Sequence, residues 1–176
     1  KVMIRKCLKV IGTVAAILVG VVAVYVIYLF TTYHRIADNL PLTVEQPAKK
    51  GTDVDALAIG TEYTALTYNI GFGAYTPDFS FFMDGGESSW AKSKESVLDT
   101  VQGAGDLVAS LRPDFALIEE IDLDSTRSYH TDEYALLKEC LPEDYTVFAQ
   151  NYDSAFLFYP LNQPHGSSKS GLGLFS

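Results

Sequence analysis

An α/β fold carried behind a single membrane-spanning helix is predicted by three features of the chain. The first is an uncharged, strongly apolar run from Val10 to Phe30. The second is a pair of hydrophobic runs, Thr67-Tyr68-Asn69-Ile70 and Pro113-Asp114-Phe115-Ala116-Leu117-Ile118-Glu119-Glu120-Ile121-Asp122, each delivering a polar residue at its carboxyl end. The third is the alternation of strand-like and helix-like patterns from Tyr63 to Phe175, which points to a layered α/β unit rather than a sandwich with helices appended.

The 21 residues of the apolar run reach roughly 31 Å as a helix, enough for a hydrocarbon core of about 30 Å. Tyr25, Tyr28 and Tyr33 lie toward its far end, where aromatic rings favour the interface. A cleaved signal peptide would have a shorter apolar region and a small-residue site, and Thr31-Thr32-Tyr33-His34-Arg35 offers none. Lys1, Arg5, Lys6 and Lys9 precede the run without an acidic residue, which predicts a cytoplasmic amino terminus and an outward-facing remainder. Residues 1–9 are then a cytoplasmic basic segment, 10–30 the anchor in the lipid bilayer, 31–60 an extracellular stalk or linker, and 61–176 the folded domain. The predicted location is the cell membrane, single-pass.

Nine of the 13 basic residues and all 22 acidic ones lie beyond Phe30, a formal charge of −13 on the outer part. That disfavours tight non-specific binding of nucleic acid, which needs clustered Lys and Arg. Cys7 and Cys140 fall on opposite sides of the predicted membrane, so no intrachain disulfide is expected. Cys140 reads as a core residue on a helix face rather than a reactive thiol.

In the stalk, Pro41, Pro47, Lys49-Lys50-Gly51 and the Asp53/Asp55 pair interrupt any periodic pattern, which allows either a tether or a strap along the domain. Aromatic and β-branched residues from Tyr63 to Ile70 suit an inner strand. Gly71 and Gly73 free the backbone for a sharp departure into a long aromatic loop. A helix is predicted from about Trp90 to Leu111, with Ser88 and Ser89 as caps and Val97, Val101, Val108 and Leu111 on one stripe. Gly103 and Gly105 weaken it by roughly 1 kcal/mol each relative to Ala, with close packing against a sheet as the expected reason. Pro113 stops this helix, and Phe115 to Ile121 is the next strand. Thr131 to Cys140 reads as a short helix, and 145–149 and 171–175 as two further strands.

The order and spacing of Thr67–Ile70, Pro113–Asp122 and Ser170-Gly171-Leu172-Gly173-Leu174-Phe175-Ser176 resemble the endonuclease/exonuclease/phosphatase superfamily. Its blocks read roughly T-x-N-I, P-D-I-hydrophobic-x-L-Q-E-V-D and S-G, four hydrophobic residues, S. The resemblance implies a four-layer α/β sandwich of the DNase I-like kind, present here in part. The later D-x-N and S-D-H blocks of that family are missing up to Ser176, so the chain is expected to carry the amino-terminal half and to lack full activity alone.

Glu120 stands where the family's Q-E glutamate binds catalytic Mg²⁺ or Mn²⁺, and Asn69 where its asparagine lies at the metal centre. The resemblance therefore makes both catalytic and metal-site residues. A hard carboxylate oxygen suits such a cation, and an amide offers both donor and acceptor to a metal-bound water or a phosphate oxygen. Against this stand a solvated acid at a strand end for Glu120 and a strand-to-turn cap for Asn69. Glu119 replaces the family's glutamine, and strict alternation sends it to the face opposite Glu120.

The string Asp122-Leu123-Asp124-Ser125-Thr126-Arg127-Ser128-Tyr129-His130 is similar to a loop of a bacterial, membrane-associated branch of the family. Arg127 there suits a phosphate clamp, and Tyr129 or His130 a leaving-group contact, with a solvated loop as the alternative. The aromatic segment 71–87 reads equally as a substrate wall or as core, and His165 sits in a polar loop that approaches the substrate on one reading. The expected function is metal-dependent hydrolysis of a phosphoester at the outer face of the membrane. The phosphoester belongs to a phospholipid head group, a small molecule or nucleic acid, and no protein partner is inferred. The alternative is an inactive, membrane-tethered binding or scaffold domain of the same fold.

Overall fold

The apolar run lies within one helix, α1 (Val2–Thr32), in a computed structural model that describes residues 2–49 and 56–176. This helix includes Arg5, Lys6 and Lys9, three of the basic residues predicted to precede the anchor, and it buries no residue within the chain; Lys1 falls outside the described residues. It is long and apolar enough to cross a membrane by length and composition, which is consistent with an anchoring segment. The chain divides into this unit, ending at His34, and a second unit, Arg35–Ser176.

The second unit is a mixed α/β domain around a five-stranded sheet. Its elements are β1 (Val44–Glu45), β2 (Ala65–Asn69), α2 (Lys94–Leu111), β3 (Phe115–Asp122), α3 (Glu133–Cys140), β4 (Thr146–Leu157) and β5 (Gly166–Phe175). The strand order is β1-β4-β5-β3-β2. β2 and β3 are parallel, joined through α2, while β3–β5, β5–β4 and β4–β1 are antiparallel.

Part of the predicted stalk belongs to this unit. Val44 and Glu45 pair with Val147 and Thr146, Glu45 meets Lys138 at 2.8 Å, and the Lys49 N–H donates to the Pro142 carbonyl at 2.7 Å. Residues 44–49 thus form a strap, and the unit takes in chain well before its predicted start at residue 61. Lys50–Asp55, at the middle of the predicted stalk, fall outside the described residues.

The core lies between the helices and one face of the sheet. Val97, Val101, Ala104 and Val108 of α2 meet Ala116, Ile118 and Ile121 of β3, Phe175 of β5, and Tyr134 and Leu137 of α3. Ser93, not Ser88 or Ser89, caps α2, its side chain accepting from the Ser96 N–H. Asp132 caps α3 in the same way through Ala135. Gly105 is explained by α3 rather than by the sheet: a Cβ there would stand 2.5 Å from Cys140 Sγ, whereas Gly103 meets nothing. Burial pushes the Cys140 thiol up, as suits an inert packing residue.

The other face of the sheet is open at Leu117, 46% exposed, and at Leu172, 39% exposed. Leu117 is registered opposite Leu174, while Ala116 is opposite Phe175, so the two faces of the sheet separate cleanly at this pair of strands.

Candidate active site at the end of the parallel strand pair

Asn69 ends β2 in register with Glu119, and β3 runs three residues further. Between Ile118 and Ile121 the β3–β5 register shifts, and Glu120 takes a left-handed φ of 57°. A non-glycine residue held there costs on the order of 1–3 kcal/mol and persists only where its surroundings enforce it. The bulge overrides the alternation read from the sequence. Thr67 Oγ1 donates to Glu119 Oε1 at 2.8 Å, and Asn69 Nδ2 donates to Glu120 Oε1 at 2.9 Å. Thr67 and Asn69 are two apart on β2 and share a face, so both glutamates reach the same side.

Asn69 also caps the turn, because its Oδ1 accepts the Gly71 N–H at 2.8 Å. The two roles weighed for this residue are therefore combined: its oxygen holds the turn and its nitrogen orients Glu120. In this arrangement Asn69 supports the carboxylate rather than standing beside it as a second oxygen donor.

Arg127 is tied into the fold. Its Nη2 and Nε reach Asp122 Oδ1 and Oδ2 at 2.8 and 3.0 Å, and Ser128 Oγ donates to Oδ2 at 2.8 Å. The Asp122 side chain is wholly buried and that of Arg127 is 11% exposed. The guanidinium carbon lies 3.8 Å from the centre of the Phe72 ring. Phe72, itself buried, follows the Gly71 turn with a left-handed φ of 45°. The turn after β2 and the end of β3 are thus held together through one cation.

These groups open onto a cleft of about 440 Å³ lined by Tyr75, Phe81, Met83, Asp84, Glu120, Arg127, Asn151, Tyr152, His165 and Ser170. Burial, then the hydrogen bond to Asp84, pushes the Tyr75 hydroxyl up to about 12, and its one O–H is donated to Asp84 Oδ2 at 3.0 Å. His165 is brought in by the β4–β5 turn, which the Trp90 indole fixes by donating to the Pro164 carbonyl at 2.7 Å. Its ring nitrogens face Ser89 Oγ at 3.4 Å and Ser168 Oγ at 3.2 Å. Burial, then the charge of Arg127, lowers its pKa and favours neutral imidazole.

The other two residues proposed to touch substrate are committed elsewhere. The Tyr129 hydroxyl donates to the Ala91 carbonyl at 3.1 Å and its ring meets Trp90 edge-on. His130 pairs with Asp124 on the surface, where its side chain is 59% exposed. The aromatic segment divides between both readings. Phe72 is core and makes ring contacts with Tyr75, Phe79 and Phe81, while Tyr75 and Met83 are exposed at the cleft.

Asp122 was legible as an acid after the glutamates but not as the partner of Arg127. The signal available was its spacing of five from an arginine across a Ser/Thr-containing turn. Among the described residues no three His, Cys, Asp or Glu side chains gather as a metal cluster. The cleft lining offers two exposed carboxylates, Glu120 and Asp84, the second accepting from Tyr75, and Mg²⁺ is commonly held by one or two carboxylates with water and substrate phosphate completing its shell. Glu120 fits that mode. No protein-family model, curated protein or solved structure matches the chain.

Proposed function

We propose that this chain contributes to metal-dependent phosphoester hydrolysis at the outer face of a membrane, with a DNase I-like fold of the endonuclease/exonuclease/phosphatase type. The observation that carries this reading is the Asn69–Glu120 hydrogen bond across the ends of β2 and β3, at a cleft shared with Arg127. Carboxyl ends of parallel strands are where α/β folds gather their chemistry. The open face at Leu117 and Leu172 supports a further layer packing there, as a four-layer sandwich requires.

Glu120 would hold Mg²⁺ or Mn²⁺, and such a cation would neutralise charge developing on the phosphate oxygens. Asn69 fixes the carboxylate through its amide, and Tyr75, its O–H held by Asp84, walls the cleft with its ring. Arg127, its positive charge offset by Asp122, keeps a planar face on the cleft. Neutral His165 is suited to orient rather than to neutralise. The −13 outer charge favours a phospholipid head group or a small phosphoester over duplex DNA.

Titration of the full chain in mild detergent with Mg²⁺ tests the metal assignment by calorimetry. One site is expected, weakened about tenfold or more in Asn69→Ala because the carboxylate loses its orienting donor. Absence of saturable binding would leave the second reading, a tethered binding domain without turnover. Glu119, in place of the resembling family's glutamine, favours that rival.

The anchor is proposed to be residues 10–30 within α1, with the amino terminus in the cytoplasm. Protease added to intact cells is expected to remove the domain beyond Phe30, and complete protection would overturn this topology.

A further inference from the structure

Glu133, at the first turn of α3, is wholly buried although nothing in the proposed chemistry uses it. Its Oε2 accepts the backbone N–H of Asp122 at 2.9 Å. That N–H needs an acceptor. The next residue, Leu123, donates to Lys169 on the β5 side, so the Asp122 N–H points away from β5, and β2 has already ended opposite Glu119. A buried donor left there would be unsatisfied.

The environment leaves no counterion for a Glu133 carboxylate. Arg127 already makes two bonds to Asp122, and Glu133 Oε1 has no hydrogen-bond partner. The charged groups facing it are Asp122 from β3, Arg127 from the turn at 126–128, and Asp132 from the cap of its own helix. The two acids oppose a further negative charge, and the arginine is committed. The helix amino terminus favours an anion in its first turn, but that is outweighed by complete burial beside a carboxylate.

We propose that Glu133 is a positioning residue which, with its side chain uncharged, clamps the Asp122 backbone and so holds the bulge that presents Glu120 to the cleft. The clamp stands two residues from Glu120. It sits on the stretch of β3 that has lost β2 as a neighbour, where the left-handed turn would otherwise be held on one side only. Burial, then the Asp122 carboxylate, holds the Glu133 carboxyl well above the ordinary carboxylate range.

The sign of the pH effect follows. Once the pH passes the ordinary value of 4.5, the unfolded chain has lost this proton while the folded chain keeps it. The unfolded state then binds fewer protons, so this contribution to stability is full at acid pH and declines as pH rises toward the folded-state pKa.

The test compares denaturant unfolding of the full chain in mild detergent, wild type against Glu133→Gln, from pH 5 to 8. Glutamine keeps the acceptor and cannot ionise. The unfolding constant of the wild type is expected to rise up to about tenfold per pH unit relative to the variant. Parallel profiles would overturn the proposal, as would a wild-type Glu133 carboxyl carbon resonance in the ionised position at pH 7, which needs no variant. Hydrogen exchange at the Asp122 amide is expected to stay slow in Glu133→Gln and to accelerate at least tenfold in Glu133→Ala, and unchanged protection in the alanine variant would also overturn it. The link to Glu120 rests on the metal reading above. If Mg²⁺ binds the wild type, its affinity is expected to survive Glu133→Gln and to fall about tenfold in Glu133→Ala. If Mg²⁺ does not bind at all, the metal reading fails while the pH and exchange results still decide the clamp.

Discussion

Glu120→Gln is expected to lower Mg²⁺-dependent phosphoester turnover about a hundredfold in the whole protein, a loss of about 3 kcal/mol of transition-state stabilisation. The substitution keeps the side chain's size and one oxygen, which can still accept from Asn69 Nδ2 at the bulge. It removes the negative charge that a hard cation requires. Folding should change little, because Glu120 is exposed and its left-handed backbone is set by the strands around it. Glu119→Gln is the matched control: it restores the residue of the resembling family and retains an acceptor for Thr67 Oγ1, so its effect should be small. Rates measured beside folded fraction separate chemistry from stability. Near-parental turnover in Glu120→Gln, with metal affinity unchanged, would reject the assignment and leave Glu120 as a solvated acid at a strand end.

The local signals in this sequence located elements well because their causes are local. Apolar spacing along Val97, Val101 and Val108 placed α2, and Pro113 marked the break before β3. The runs ending in Asn69 and Asp122 became adjacent parallel strands. What escaped was set by tertiary contact. β1 is two residues from a proline-bounded segment and exists only because β4 has a free edge. β4 runs to Leu157, well past its expected end at Ala149, because pairing with β5 sustains it through two irregularities in register.

The site divides the same way. Asn69 and Glu120 could be named from their places at strand ends, but their shared face could not, since no property of glutamate announces a left-handed φ. The pairing of Arg127 with Asp122 was equally hidden. An arginine in a polar loop reads as a phosphate ligand until burial of the neighbouring acid is known. His165 was legible only as a loop residue, and the Trp90 to Pro164 hydrogen bond that fixes its turn spans 74 residues.

Arg127→Ala is expected to destabilise the domain by about 3–5 kcal/mol, the range seen when one partner of a buried ion pair is removed. The loss has three parts that act together. Asp122, wholly buried, keeps only the Ser128 hydroxyl for its carboxylate. Phe72 loses the guanidinium stacked 3.8 Å above it, and with it the tie between the β2 turn and the end of β3. A cavity is left beside Glu133, whose burial next to an unbalanced carboxylate then becomes harder to sustain. Against a typical domain stability of about 5–15 kcal/mol, this is enough to unfold a marginal domain. Arg127→Lys should fall between, since an ammonium cannot reproduce the two-point contact of Nε and Nη2 with one carboxylate. The double change Arg127→Met with Asp122→Asn removes both charges and should recover part of the loss. Denaturant unfolding of the full chain in detergent decides the matter: a loss below about 1 kcal/mol in Arg127→Ala would mean that the pair is solvated. Arg127 would then be free to serve the cleft as the substrate clamp that its sequence context suggested.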